Sequence, residues 1–211
     1  MNMKKIISFF IVACCAMCAT AAKVVWQIGV ADNSGTELAL GPSEYKKFLA
    51  HDFGYEDRYF LVGTSVDKND FPYVLPGPDD TWGGTWSTSG WRTHDANILF
   101  GIKKLPKHGK WKLVVDLVDA NPSRSVVKVM VNSAEKKFEI KGHSKGVLEG
   151  NLQDAKEQIL EFPISADDLK KGGNMVTVSV LEGGWIVFDQ IRLEGADELV
   201  LEKNNEYAFL R

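Results

Sequence analysis

Cysteine is confined to the first 18 residues of this 211-residue chain, as Cys14, Cys15 and Cys18. Once that leader is removed the protein holds no thiol, which excludes disulfides, a thiolate nucleophile and cysteine-ligated zinc together. Stability must then come from a packed core, and the 189 residues after Ala22 are enough to build one.

Long apolar runs are also missing. The stretch Ile6–Ala13, behind Lys4 and Lys5, is too short to span a bilayer. Followed by Ala19, Thr20, Ala21 and Ala22, it reads as an export signal over residues 1–22, cleaved after Ala21 or Ala22. Ile11, Val12, Ala13 and Cys14 also resemble a bacterial lipobox. Plain export to the periplasm, cell surface or medium is favoured, because the apolar run before Cys14 is short and the small-residue site follows it. Lipidation at Cys14 is the alternative, and the route by which a membrane would become a partner.

There is no excess of positive charge. Loss of Lys4 and Lys5 leaves 23 basic against 28 acidic residues, a net charge of −5, and no basic run stands out. A protein that neutralises nucleic-acid phosphates needs the opposite balance, so nucleic acid is excluded as a partner.

Catalytic motifs are equally scarce. His51, His94, His108 and His143 show no HExxH or i,i+4 pairing. No Gly-x-Ser-x-Gly and no phosphate-cradling glycine loop occurs. Asp79-Asp80 and Asp167-Asp168 are chain neighbours, not carboxylates facing each other across a sugar. Asp189 interrupts the apolar face formed by Trp185, Val187, Ile191 and Leu193, where a carboxylate needs partners; a neighbouring loop or an arginine is expected to supply them. No cofactor is expected. A structural calcium at Asp32, Ser34 and Glu37 is the lesser alternative to a plain turn, since "DNSGTE" is no EF-hand loop.

What the chain does contain is short β-branched and aromatic runs between turn signals: Val24–Ile28, Tyr59–Val62, Ile98–Ile102, Trp111–Val118, Val126–Val131, Lys137–Ile140, Gln158–Phe162, Met175–Leu181 and Trp185–Leu193. In one of them Trp111, Leu113, Val115 and Leu117 oppose Lys110, Lys112 and Asp116; in another Val127, Val129 and Val131 oppose Lys128. The pattern predicts an all-β antiparallel sandwich with less than about a fifth of its residues in helix. Two short helices are expected, one from Ser43 through Leu49 and one capped by Ser165 with Asp168 and stopped at Gly172-Gly173. With no repeat or linker, the chain divides into the signal, one domain over 23–196, and a tail or last strand over 197–211.

Four segments, "VVWQIGVAD" (24–32), "VDLVDANPSRSVVKVMVN" (115–132), "FPISADDLKKGGNMVTVSV" (162–180) and "VFDQIRLEG" (187–195), resemble in order the C-terminal jelly-roll, galactose-binding-like domain of rhamnogalacturonan lyases. The shared features are Trp-x-Ile-Gly, a Val-Asn strand end, a Pro-x-x-x-x-x-Leu-x-x-Gly-x-Asn corner and a closing Asp-x-Ile-x-Leu. The resemblance implies a jelly-roll sandwich with a carbohydrate-binding role, for pectin-type polysaccharide or oligosaccharide. The catalytic machinery of such lyases resembles a separate upstream domain, and here the signal alone precedes Trp26, so no catalytic residues carry over. The rival expectation is a polysaccharide lyase or glycosidase, truncated or small with an unrecognised site.

Three of six tryptophans crowd into "YVLPGPDDTWGGTWSTSGW" (73–91), a glycine- and proline-rich stretch read as a long loop at one end of the sandwich. An indole offers a flat apolar surface to a sugar's C–H face while polar side chains meet its hydroxyls. Trp82, Trp86, Trp91, Arg92, His94, Asp79 and Asp80 are therefore the expected ligand-binding residues, against the alternative that the rings fold inward as a cap. Trp26, Trp111 and Trp185 sit in strand patterns and are expected in the core.

Overall fold

The computed structural model describes residues 22–55, 57–84 and 93–202. Its strands are β1 (Lys23–Gly29), β2 (Tyr59–Leu61), β3 (Val74–Leu75), β4 (Asp95–Lys104), β5 (Lys110–Ala120), β6 (Arg124–Val131), β7 (Ala134–Lys141), β8 (Gln158–Ser165), β9 (Gly172–Glu182), β10 (Ile186–Gly195) and β11 (Val200–Leu201). They form two sheets, β1-β10-β5-β8 with β3 also on β10, and β11-β4-β9-β6-β7 with β2 also on β4. The β2–β4 pair is parallel, and the remaining strand pairs are antiparallel. All nine runs read from the sequence fall within or overlap a strand, and the all-β sandwich is the fold. β11 falls inside the segment read as tail or last strand.

Period-two alternation builds the core. Trp111, Leu113, Val115 and Leu117 of β5 and Ile191 and Leu193 of β10 are buried from one sheet, and Ile98, Phe100, Val127, Val129, Val176 and Val178 from the other. Each contributes about 1.5–3 kcal/mol of burial. Trp26, Trp111 and Trp185 are core residues at 3–5% exposure. Trp111 also donates from Nε1 to the Asp197 carbonyl (3.2 Å), while Asp197 Oδ2 accepts from the Lys110 N–H (2.8 Å), fastening the segment after β10.

Both expected helices are shorter than helical periodicity suggests. Residues 45–51 form two 3₁₀ turns, Tyr45–Lys47 and Leu49–His51, and Ser43 caps neither. Phe48 is fully buried, and its N–H bonds the Tyr45 carbonyl three residues back. Packing this one ring tightens the winding, and Asp52 at φ +63° ends it. The second is a single 3₁₀ turn, Ala166–Asp168, where Asp168 Oδ2 accepts from the Ser165 N–H (2.8 Å) and hydroxyl (2.7 Å) as the capping-box pattern required. α1 (Asp67–Asp70) adds one turn.

Two further expectations need correction. Tyr73–Gly77, read as part of the loop, is buried: β3 pairs with the start of β10, and the Tyr73 hydroxyl donates to the Leu148 carbonyl (2.7 Å). Asp116 does lie on the outer face of β5 but is only 3% exposed, beside Gln190 and Arg192 of β10.

The β5–β10 ladder carries two offsetting irregularities. Val118 on β5 and Asp189 on β10 each lack an opposite residue, so the register recovers after both. Among the described residues β7 pairs on one side alone, with β6, and its Glu135, Lys136, Lys137, Glu139 and Lys141 are exposed.

Candidate functional site

Beyond β3, the chain leaves the core through a turn organised by Asp80. Asp80 Oδ2 accepts from the Gly77 N–H (2.8 Å), and the Asp80 carbonyl accepts from Gly83 N–H (2.9 Å), closing the 3₁₀ turn Thr81–Gly83. Asp80 is 7% exposed. Burial pushes its carboxyl up to about 6, Asp79 adds like charge, and bonds from the Gly77 backbone, the Trp82 side chain and the Trp185 backbone pull the other way.

Trp82 is half-buried at this turn. Its ring meets Tyr45 edge-on (centroids 5.0 Å apart) and Phe48 (6.2 Å), while Phe48 packs on Phe53 (5.9 Å) and His94 (5.5 Å). His94 is buried, with Nδ1 3.1 Å from the Gly54 carbonyl and Nε2 against the Gly83 carbonyl. It ties the 49–54 turn to the 81–83 turn. A Cβ on Gly83 would stand 2.5 Å from Pro76, so this packing requires glycine there.

Of the residues expected to bind ligand, the structure thus brings Asp80, Trp82 and His94 into one aromatic cap at the sandwich end, and leaves Asp79 exposed beside it. Trp86, Trp91 and Arg92 lie outside the described residues, as do residues 1–21, with Cys14, of the segment read as an export signal, and 203–211 of the tail.

Sequence reasoning passed over the neighbouring segment "HDFGYEDRYF" (51–60). Through the Gly54–His94 contact it joins the same end, where Asp52, Tyr55, Asp57 and Arg58 line a recess of about 400 Å³. Tyr55 is 49% exposed. The Arg58 guanidinium sits 4.3 Å over the Phe53 ring and donates to the carbonyls of His51 (3.0 Å) and Asn69 (3.3 Å). The available signal was aromatic residues alternating with charge just before a strand.

Asp189 is buried, and its Oδ1 accepts from the Ser34 N–H (3.1 Å), the neighbouring-loop partner anticipated for it. Burial raises its pKa above the ordinary carboxylate value, as do Asp32 and Glu37, against the Ser34 bond. In the facing turn Glu37 Oε1 is engaged by the Val30 N–H (2.7 Å) and the Ser34 and Thr36 hydroxyls bond each other (3.0 Å). Among the described residues no group of three or more His, Cys, Asp or Glu is arranged to hold a metal ion. Ser34 and Glu37 hold this turn through those bonds.

Comparison with known proteins places this geometry in context. A family model described as CBM-like, polysaccharide lyase family 4, domain III, matches residues 24–193. No curated protein matches the chain in sequence. Similar solved structures include a family 35 carbohydrate-binding module from Cellvibrio japonicus Abf62 (12% identity, TM-score 0.36, 52% of this chain and 71% of that one). A family 35 module solved with a glucuronic acid containing disaccharide gives 12% identity and a TM-score of 0.37 over 54% of this chain and 74% of that one. A family GH115 4-O-methyl-α-glucuronidase with specificity for decorated arabinogalactans gives 18% identity and a TM-score of 0.34; 48% of this chain is covered, spanning 13% of the enzyme.

Proposed function

Because the chain belongs to the CBM-like family of polysaccharide lyase family 4, domain III, we infer that it is an exported, noncatalytic carbohydrate-binding module whose ligands are pectin-type glycans of the rhamnogalacturonan class. The observation that carries the reading is the extent of the family match, which takes in both sheets of the sandwich from β1 to β10. The family name supports an accessory role beside a lyase. Asp80 Oδ2 and Asp189 Oδ1 accept from the backbone N–H groups of Gly77 and Ser34.

The ligand surface of this reading is the sandwich end around Trp82. Trp82, Trp86 and Trp91 supply apolar faces, and Asp79 and Arg92 meet the hydroxyl rim, with Tyr55 and Arg58 extending the surface. Asp80 and His94 act behind it by holding Trp82 and the two turns. A net charge of −5 gives no general attraction to a polygalacturonate, so recognition of an acidic sugar falls to local cations such as Arg92.

Affinity electrophoresis in gels containing rhamnogalacturonan I, polygalacturonate or galactan tests the assignment. Retardation by rhamnogalacturonan, without new reducing ends or unsaturated products on long incubation, is the expected result. Sustained turnover would overturn the noncatalytic reading and favour the lyase or glycosidase. Export is tested by intact mass after fractionation: cleavage after Ala21 or Ala22 against a lipid adduct on Cys14.

A further inference from the structure

The Val-Asn strand end and the Pro-to-Asn corner are far apart in the chain, but their asparagines meet. Asn132, at φ +53° in the β6–β7 turn, donates from Nδ2 to the Asp168 carbonyl (2.8 Å) and to Asn174 Oδ1 (2.9 Å), and accepts from the Met175 N–H (3.2 Å). Asn174, fully buried, donates to the carbonyls of Lys170 (2.7 Å) and Gly172 (3.0 Å) and accepts from the Lys170 N–H (2.9 Å). This network locks the β6–β7 turn to the β8–β9 turn as one rigid wall.

The wall borders a groove of about 560 Å³ on the outer face of the second sheet, within the ~300–1,000 Å³ of small-ligand sites. Leu99 and Met175, directly opposite each other across β4 and β9, give it an apolar floor. Tyr59 of β2 stands along one side, half-buried, and its hydroxyl has no hydrogen-bond partner among the described residues. Ser133, Asp167 and Lys170 rise from the locked turns on the other side, all exposed. The groove is separate from the tryptophan cap: Leu99 lies five residues up β4 from His94, about 16 Å at strand spacing, toward the end of β4 that pairs with Gly173.

We propose that this groove is a second glycan-binding surface, on which a short oligosaccharide lays a ring against Tyr59 over the Leu99–Met175 floor and presents its hydroxyls to Asp167, Ser133 and Lys170. The combination is the one a sugar requires: an aromatic flank, a short apolar floor, and a carboxylate acceptor, a hydroxyl and an ammonium donor at the rim. Its wall is set before binding, so little ordering cost falls on the protein. Two surfaces on one module let a long polysaccharide be held at both, raising avidity on polymer without strengthening either site.

The proposal rests on the chain being a glycan binder, and amide NMR of the 15N-labelled protein separates the two. Titration with a rhamnogalacturonan hexasaccharide is expected to shift the amides of Ser133, Lys170 and Met175 as well as those around Trp82. Tyr59→Ala should weaken the groove response about tenfold and leave the Trp82 response in place. Lys170→Ala, at an exposed position that leaves the fold intact, should weaken the groove response too. Shifts around Trp82 alone, or a groove response indifferent to both substitutions, would overturn the second surface and leave the carbohydrate reading standing. No shift anywhere with this probe or with galactan and polygalacturonate fragments would overturn both.

Discussion

The Asp116 carboxylate stands 3.8 Å from the Arg192 guanidinium, yet its pKa is pushed up to about 6. Burial is the main cause; Glu157 and Asp189 add to it, and Arg192 opposes them. Arg192 is shared, since it also donates to Glu194 (2.8 Å) and Gln190 (2.8 Å). Asp116 Oδ1 consequently has no hydrogen-bond partner among the described residues.

Stability should therefore rise as the medium becomes mildly acidic. Asp80 and Asp116 both hold a proton more tightly folded than unfolded, so their contribution is complete below the unfolded pKa near 3.8 and is lost as pH climbs through about 6. Each should be worth about 2–3 kcal/mol across that window. Glu194 works in the opposite sense: burial alone would raise its pKa, but Arg192 and Lys112 lower it overall, so its contribution disappears in stronger acid. Urea unfolding between pH 4 and 8 should show stability highest at the acid end, near pH ~4, and falling through pH ~6, and Asp116→Asn should flatten the fall toward neutral pH by about half.

Asn174→Ala should cost about 2–4 kcal/mol, because it strands the backbone groups of Lys170 and Gly172 and the Asn132 amide in a buried corner. Equilibrium denaturation measures this directly. Asn132→Ala should recover less than its own full cost when combined with Asn174→Ala, since the two share one network.

Trp111→Ala should destabilise by about 3–5 kcal/mol and affect glycan binding only through unfolding. Its ring is enclosed so closely that a Cβ on Gly109 or Gly195 would lie 2.1 or 2.4 Å from it. Trp86→Ala and Trp91→Ala should instead weaken glycan retardation by about 1–3 kcal/mol while the melting temperature holds. Trp82→Ala should do some of both, given its contacts with Tyr45 and Phe48. If all three cap substitutions lower stability as Trp111→Ala does, and the folded fraction binds undiminished, the tryptophans are a structural cap.

The strands were legible because β-branched and aromatic residues recur with period two, and a buried face leaves that signature wherever it occurs. Asp116 shows where alternation stops short: it identifies the face a side chain is on, but not that Gln190 and Arg192 of the next strand cover that face. The turns at 45–51 were misread because helical spacing of Tyr45, Phe48 and Leu49 describes a patch equally served by two tight turns around one ring. At the cap, composition grouped Asp79, Asp80, Trp82 and His94, which the structure also brings to one end of the sandwich. It did not separate Asp80 and His94, which hold that end together from within, from Asp79 at the surface, because that distinction depends on which carbonyls and N–H groups the fold brings near. Tyr55 and the groove beside Tyr59 had no sequence signal beyond an aromatic residue among charges, since Tyr55 joins the cap through the Gly54–His94 contact and Tyr59 shares its groove with Leu99, Ser133 and Lys170, all distant in the chain.

The exposed charges of β7 determine how the molecule behaves in a crowd. An unpaired ladder ordinarily invites another strand, and repeated invitations produce fibres. Here any newcomer must lie beside Glu135, Lys136, Lys137, Glu139 and Lys141 in succession, and a second copy laid parallel and in register would set like charge against like. Among the described residues the edge is guarded by charge rather than by a covering element.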